Sequence, residues 1–200
     1  MKTIGITGGV GSGKSAVLNY LKEKYDAYVI EADSLAKEAE EPGGGAYGPL
    51  TEAFGKDILG DDGAIDKKRF AALIFSDEEA LKKANGIIHP VVKKMILEAI
   101  DRETAAGRKL FALEAALLIE DGYKEILDEL WYIYAEEEVR FRRLEENRGY
   151  DREKSLSIMR RQLSDIEFRK YCDKIIDNGA ELWEMQAQVD ACLRGIDEKY

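Results

Sequence analysis

The chain is short of the residues that build stapled or metal-held proteins: among 200 residues there are one histidine, two cysteines and three prolines. Cys172 and Cys192 form no CxxC pair and share no metal-ligand spacing with His89. That excludes a zinc site or a disulfide framework and leaves two reduced thiols as the expectation. No apolar run approaches the ~20 residues of a membrane span, and Met1 to Thr7 lead straight into a glycine-rich loop with no room for a leader. A cytoplasmic protein is expected, as a monomer or weak homo-oligomer. Positive charge is also in deficit. The net charge of −10 repels nucleic-acid phosphates and anionic lipid, so neither is a general partner, and a phosphate site here must build its own local positive field.

What is present is a mixed-sign, 45% hydrophobic chain, enough for one compact core with subdomains grown from its loops. Short apolar runs alternate with helical patterns, as in a parallel sheet with crossover helices. Strands are predicted at Thr3–Thr7, Ala27–Ile30, Leu110–Leu113, Leu130–Tyr134 and Lys174–Ile176. Helices are predicted at Lys14–Tyr25, Glu136–Asn147, Asp151–Leu163 and Glu181–Leu193. Between residues 34 and 107 the pattern is helical, broken at Pro42-Gly43-Gly44-Gly45 and Gly60–Gly63, with a further break expected at His89-Pro90. The fold class predicted is α/β: a three-layer α/β/α P-loop core with a parallel sheet of about five strands. Residues 1–33, 108–139 and 164–200 would form that core, 34–107 a helical acceptor subdomain and 140–163 a lid.

Gly8-Gly9-Val10-Gly11-Ser12-Gly13-Lys14-Ser15 matches the P-loop pattern in full, with an apolar strand before it and an amphipathic helix after it. Glycines let the backbone turn N–H groups onto phosphate oxygens, and the following helix adds its positive end. Lys14 is expected on the outer phosphates of ATP, with Ala16 continuing the contact, and Ser15 on the Mg²⁺ that accompanies ATP. No Asn-Lys-x-Asp base-reading segment follows, and Asp57-Ile58-Leu59-Gly60, a DxxG match, sits within the helical block, where it reads as chance. A GTPase is thereby disfavoured and a metabolite kinase leads.

Asp33 follows the second strand, where a carboxylate could accept the proton of an attacking hydroxyl. It or Ser34 could equally cap the next helix. Arg140, Arg142, Arg143, Arg148 and Arg152 crowd one stretch of an acidic chain, either over the phosphates or paired with Glu136, Glu137, Glu138, Glu145 and Glu146 on a solvated face. Glu114 ends the third strand, where it could reach Mg²⁺ through water. Asp177-Asn178-Gly179 stands either against the adenine or in an ordinary turn. Beside Pro90, His89 reads as structural or substrate-lining rather than as an acid or base.

Ile6-Thr7-Gly8-Gly9-Val10-Gly11-Ser12-Gly13-Lys14-Ser15, Ala32-Asp33, His89-Pro90, Leu117-Leu118-Ile119-Glu120, Gln162 and Cys172-Asp173-Lys174-Ile175-Ile176-Asp177-Asn178 together closely resemble the dephospho-CoA kinase family, in order from residue 4 to residue 179. The resemblance implies transfer of the γ-phosphate of ATP to the 3′-hydroxyl of dephospho-CoA, the last step of coenzyme A synthesis. It implies Asp33 as the base and Thr7 close to the reacting phosphates. Arg143 and Arg148 match the lid arginines, and His89 and Leu117 would line the acceptor. Two positions depart from the family: Glu31 stands where it has aspartate, and Ala116 where it has proline. Another small-molecule kinase, or an ATP-binding module without turnover, are the alternatives.

Overall fold

The computed structural model describes residues 1–115 and 117–195; the Ala116 departure lies outside them. Five strands, β1 (Lys2–Thr7), β2 (Tyr28–Glu31), β3 (Leu110–Glu114), β4 (Glu129–Tyr134) and β5 (Lys174–Asp177), form one sheet in the order β2-β3-β1-β4-β5. β1 pairs in parallel with β3 and β4, and β4 with β5. The fold class is therefore the one expected, each strand ending within a residue or two of its prediction.

The apolar runs are strands because both of their faces are covered. Ile4, Ile6, Leu110, Ala112, Trp131, Ile133 and Ile176 share one core cluster. Onto it α1 (Lys14–Tyr25) lays Val17, Leu18 and Leu21, and α9 (Leu182–Cys192) lays Met185 and Val189. Outside that cluster Asp190 of α9 accepts hydrogen bonds from Tyr20 (2.8 Å) and Tyr25 (2.6 Å) and pairs with Lys24 at 2.6 Å, tying α9 to α1.

The segment after β4 forms α6 (Glu137–Arg148) and α7 (Arg152–Met159), joined through Gly149 in the left-handed conformation. The predicted helix to Leu163 stops at Met159, and a separate α8 (Asp165–Tyr171) follows, opened by a capping box of Ser164 and Glu167. There the Glu167 amide donates to the Ser164 hydroxyl at 3.3 Å and the Ser164 amide to the Glu167 carboxylate at 2.8 Å, which restarts the chain as a helix.

The chain divides into two units, Ile30–Asp101 and the remainder. The smaller carries α2 (Ala32–Glu40), α3 (Tyr47–Phe54), α4 (Lys67–Ser76) and most of α5 (Glu78–Ala105). The loop between α3 and α4 closes on itself through a single antiparallel bridge, Leu59 to Ile65. The expected break at His89-Pro90 is absent: α5 runs through Pro90. Ala80, Ala84, Ile88, Val92, Ile96 and Ala99 are all buried, a stripe at helical spacing that continues past the proline, so burial overrides its local preference. Pro90 itself is exposed, and solvent can satisfy the Gly86 carbonyl that loses its donor.

Two stability outcomes follow from these contacts. Pro90→Ala restores the missing N–H and should stabilise the protein by about 1–3 kcal/mol in urea unfolding. Burial works against ionisation of Asp190, but hydrogen bonds from Lys24, Tyr25 and Tyr20 outweigh it and hold the carboxyl below its ordinary range. A depressed carboxylate stabilises above its unfolded pKa and loses that contribution as pH falls through the folded value. Asp190→Ala should therefore cost about 1 kcal/mol near neutral pH, a figure reduced for partial exposure, and the gap from wild type should close below about pH 4.

Candidate active site

The P-loop joins β1 to α1 with Gly8, Gly11 and Gly13 at φ of 150°, 79° and 85°, angles that an L side chain rarely adopts. Gly13 caps α1 without any side-chain hydrogen bond, so among the described residues no cap side chain competes with an anion for the first-turn amides of Lys14 and Ser15. Other loop amides are already engaged. The Ser12 amide donates to the Gly9 carbonyl at 3.1 Å, and the Val10 amide to Gln162 Oε1 at 2.9 Å.

Several loop carbonyls are each held by a side-chain donor. Arg140 Nε donates to Val10 (2.8 Å), Arg143 Nη1 to Ser12 (3.2 Å), Asn178 Nδ2 to Ser12 (2.8 Å) and Gly13 (3.3 Å), and Lys14 Nζ to Gly8 (3.0 Å). Arg143 Nη2 also holds the Asn178 carbonyl at 2.7 Å. A Cβ on Gly9 would collide with the Arg140 guanidinium, and one on Gly13 with the Asn178 amide. Burial lowers the pKa of both Arg140 and Arg143, and for Arg143 the neighbouring Arg142 adds to it; starting from so basic a group, both keep their charge at neutral pH.

Glu114, at the end of β3, lies 3.4 Å from Lys14 Nζ. The Thr7 and Ser12 hydroxyls are buried and have no hydrogen-bond partner among the described residues, whereas Ser15 is exposed in the first turn of α1. A glycine nest, an amine, two orphaned hydroxyls and two half-buried guanidinium groups form a site for a polyphosphate.

Comparison with known proteins gives this site its family. The dephospho-CoA kinase family model matches residues 2–184. The dephospho-CoA kinase of Carboxydothermus hydrogenoformans is 36% identical over 191 residues, 96% of this chain and 92% of that one. The chain belongs to the dephospho-CoA kinase family. The enzyme of that name from Geobacillus kaustophilus is 34% identical over 98% of this chain and 96% of its own. Among solved structures, TT1252 from Thermus thermophilus is 33% identical, with a TM-score of 0.81 over 96% of each chain. Shikimate kinase from Bacteroides thetaiotaomicron, at 14% identity and a TM-score of 0.52, shares the fold alone.

Within this family member, Asp33 is the second residue of α2 and exposed. The capping alternative fails: Glu31 holds the N-cap position, so neither Asp33 nor Ser34 does. His89 lies on α5 and is partly buried, and Leu117 is 43% exposed in the turns after β3. Arg148 ends α6 and is exposed.

Among the described residues, no ion pair at helical spacing joins these arginines to the glutamates, the alternative that the sequence left open. Arg152 pairs instead with Glu138 across the α6–α7 turn and stacks on Phe141 at 4.2 Å. With Arg160 and Arg161 it lines an open cavity of about 660 Å³ on α7. Sequence reasoning assigned no loop contact to Arg140 or Gln162. The one signal for Arg140 was its i, i+3 spacing from Arg143, which puts both on one helix face.

Gly13→Ala should abolish nucleotide binding, because the new Cβ meets both a left-handed backbone and the Asn178 amide. Asn178→Ala, which strips two carbonyl contacts, should weaken nucleotide binding and lower stability by about 1–2 kcal/mol, read by titration and thermal melting.

Proposed function

We propose that this chain is an ATP-dependent dephospho-CoA kinase, moving the γ-phosphate of ATP to the 3′-hydroxyl of dephospho-CoA. The carrying observation is the family match from residue 2 to 184, which takes in the whole phosphate cradle and the entire Ile30–Asp101 unit. A P-loop alone would name only the donor.

In this reading Gly8 to Ala16 receive the triphosphate. The amides at the start of α1 and the Lys14 ammonium meet its oxygens, and the guanidinium of Arg143 adds charge where it develops during transfer. Thr7 offers its orphaned hydroxyl to the reacting phosphate. The exposed Ser15 hydroxyl is the fitting ligand for Mg²⁺, with Glu114 reaching it through water. Once bound, the ion would neutralise charge on the outer phosphates. Glu114 meanwhile orients Lys14.

On the acceptor side, Asp33 takes the proton from the 3′-hydroxyl as it attacks. Its carboxylate is exposed, and it is not consumed by helix capping. His89 and Leu117 line the acceptor, Asn178 supports the nucleotide, and Arg148 joins the phosphates from the end of α6.

The test is a coupled ADP-release assay with dephospho-CoA. No 3′-phosphorylated product at saturating ATP would overturn the reading. Asp33→Asn should lower kcat by about 10²–10⁴-fold while ATP binding, followed by calorimetry, stays within about threefold.

A further inference from the structure

Two glycine-flanked peptide planes form the crown of the P-loop, and glycine leaves such planes free to flip. The Gly9–Val10 plane is fixed at both ends. Its carbonyl receives the Ser12 amide at 3.1 Å, and its N–H donates to Gln162 Oε1 at 2.9 Å. Gln162 comes from the turn after α7, 152 residues away, and that turn is itself closed by the Gln162 amide on the Met159 carbonyl at 3.1 Å. The next plane, Val10–Gly11, is held by Arg140 on the Val10 carbonyl.

The chemistry of the contact selects the residue. Outward-facing carbonyls can be met by arginine, lysine or an asparagine amide, and all three are used around this loop. An outward-facing N–H needs an acceptor, and beside a triphosphate that acceptor should carry no negative charge. A glutamine oxygen meets both conditions.

We propose that Gln162 is a positioning residue for the phosphate cradle. It locks the Gly9–Val10 peptide outward, so that the remaining loop amides and the start of α1 stay aimed at the phosphates. It acts through Val10 and touches neither substrate. The proposal rests on the P-loop being the ATP site, as argued above.

Gln162→Met keeps the side chain's length and removes the acceptor; Gln162→Glu keeps the acceptor. Both, with wild type, are titrated with ADP by calorimetry in about 0.5 M salt, which screens the added charge, and their kinetics are measured under the same conditions. Q162M should raise the ADP Kd and the KM for ATP about five- to tenfold, one lost hydrogen bond's worth. Its kcat at saturating ATP should be little changed and its melting temperature should fall only modestly, and Q162E should restore binding to within about twofold of wild type. Equal affinity in Q162M and wild type overturns the proposal, as does equal weakening in Q162M and Q162E. A lower melting temperature with unchanged KM makes Gln162 purely structural and also overturns it. If Q162M does not fold, Gln162→Asn, which withdraws the oxygen by one methylene, is read by the same criteria. A wild type that binds no nucleotide sinks the ATP reading instead, so the two failures are distinguishable.

Discussion

A loop that offers its N–H groups to an anion must have its carbonyls satisfied from the other side. This constraint organises the larger unit. The carbonyls of Val10, Ser12 and Gly13 each meet a donor from Arg140, Arg143 or Asn178, and that of Gly8 meets the Lys14 ammonium. Left unmet, a carbonyl shielded from water would cost about 1–3 kcal/mol, and less where it is only partly buried. The donors come from α1, from α6 and from the residue after β5, so the P-loop conformation depends on three separate connections of the fold being in place.

The same donors address the electrostatics. The protein carries a net charge of −10, yet the groups that meet the loop carbonyls are cationic or neutral. Arg140 and Arg143 make no ion pair among the described residues and bear a desolvation penalty that lowers their pKa. A half-buried guanidinium bonded only to carbonyls retains most of its field, whereas a carboxylate partner would cancel it. Arg152, paired with Glu138 and largely exposed, has spent its field locally. The stretch of arginines that looked uniform in sequence thus contains two kinds of residue, separated by what lies opposite each.

How much of this was legible follows from the range of each interaction. β1, β3 and β4 were visible because buried parallel strands are nearly unbroken apolar runs, and α1 because Val17, Leu18 and Leu21 share a face. The P-loop is a local motif, so its glycines, Lys14 and Ser15 could be read directly. The capping box at Ser164 was a local signal passed over, and α8 was lost with it. Pro90 misled because a local rule was applied where a long buried stripe decides the conformation. Arg140 and Gln162 meet Val10 across 130 and 152 residues, and no periodicity or spacing encodes such a contact. Asp33 stood out by position after a strand, which left proton acceptance and helix capping both open, and family resemblance favoured the first.

The exposed and buried hydroxyls of the site point to a division of labour. Ser15 is exposed and can exchange water for another ligand at little cost. Thr7 and Ser12 are buried without partners among the described residues, and an unmet buried hydroxyl is disfavoured by about 1–3 kcal/mol. Ser12 is tied into the loop by its own amide and carbonyl, so its side chain has little freedom to find a partner by moving the backbone. Thr7 is fixed likewise, as the last residue of a central strand paired to β4. Both hydroxyls are therefore held in place at a small standing cost in stability. That is the expected signature of groups whose partner arrives with the substrate rather than with the fold.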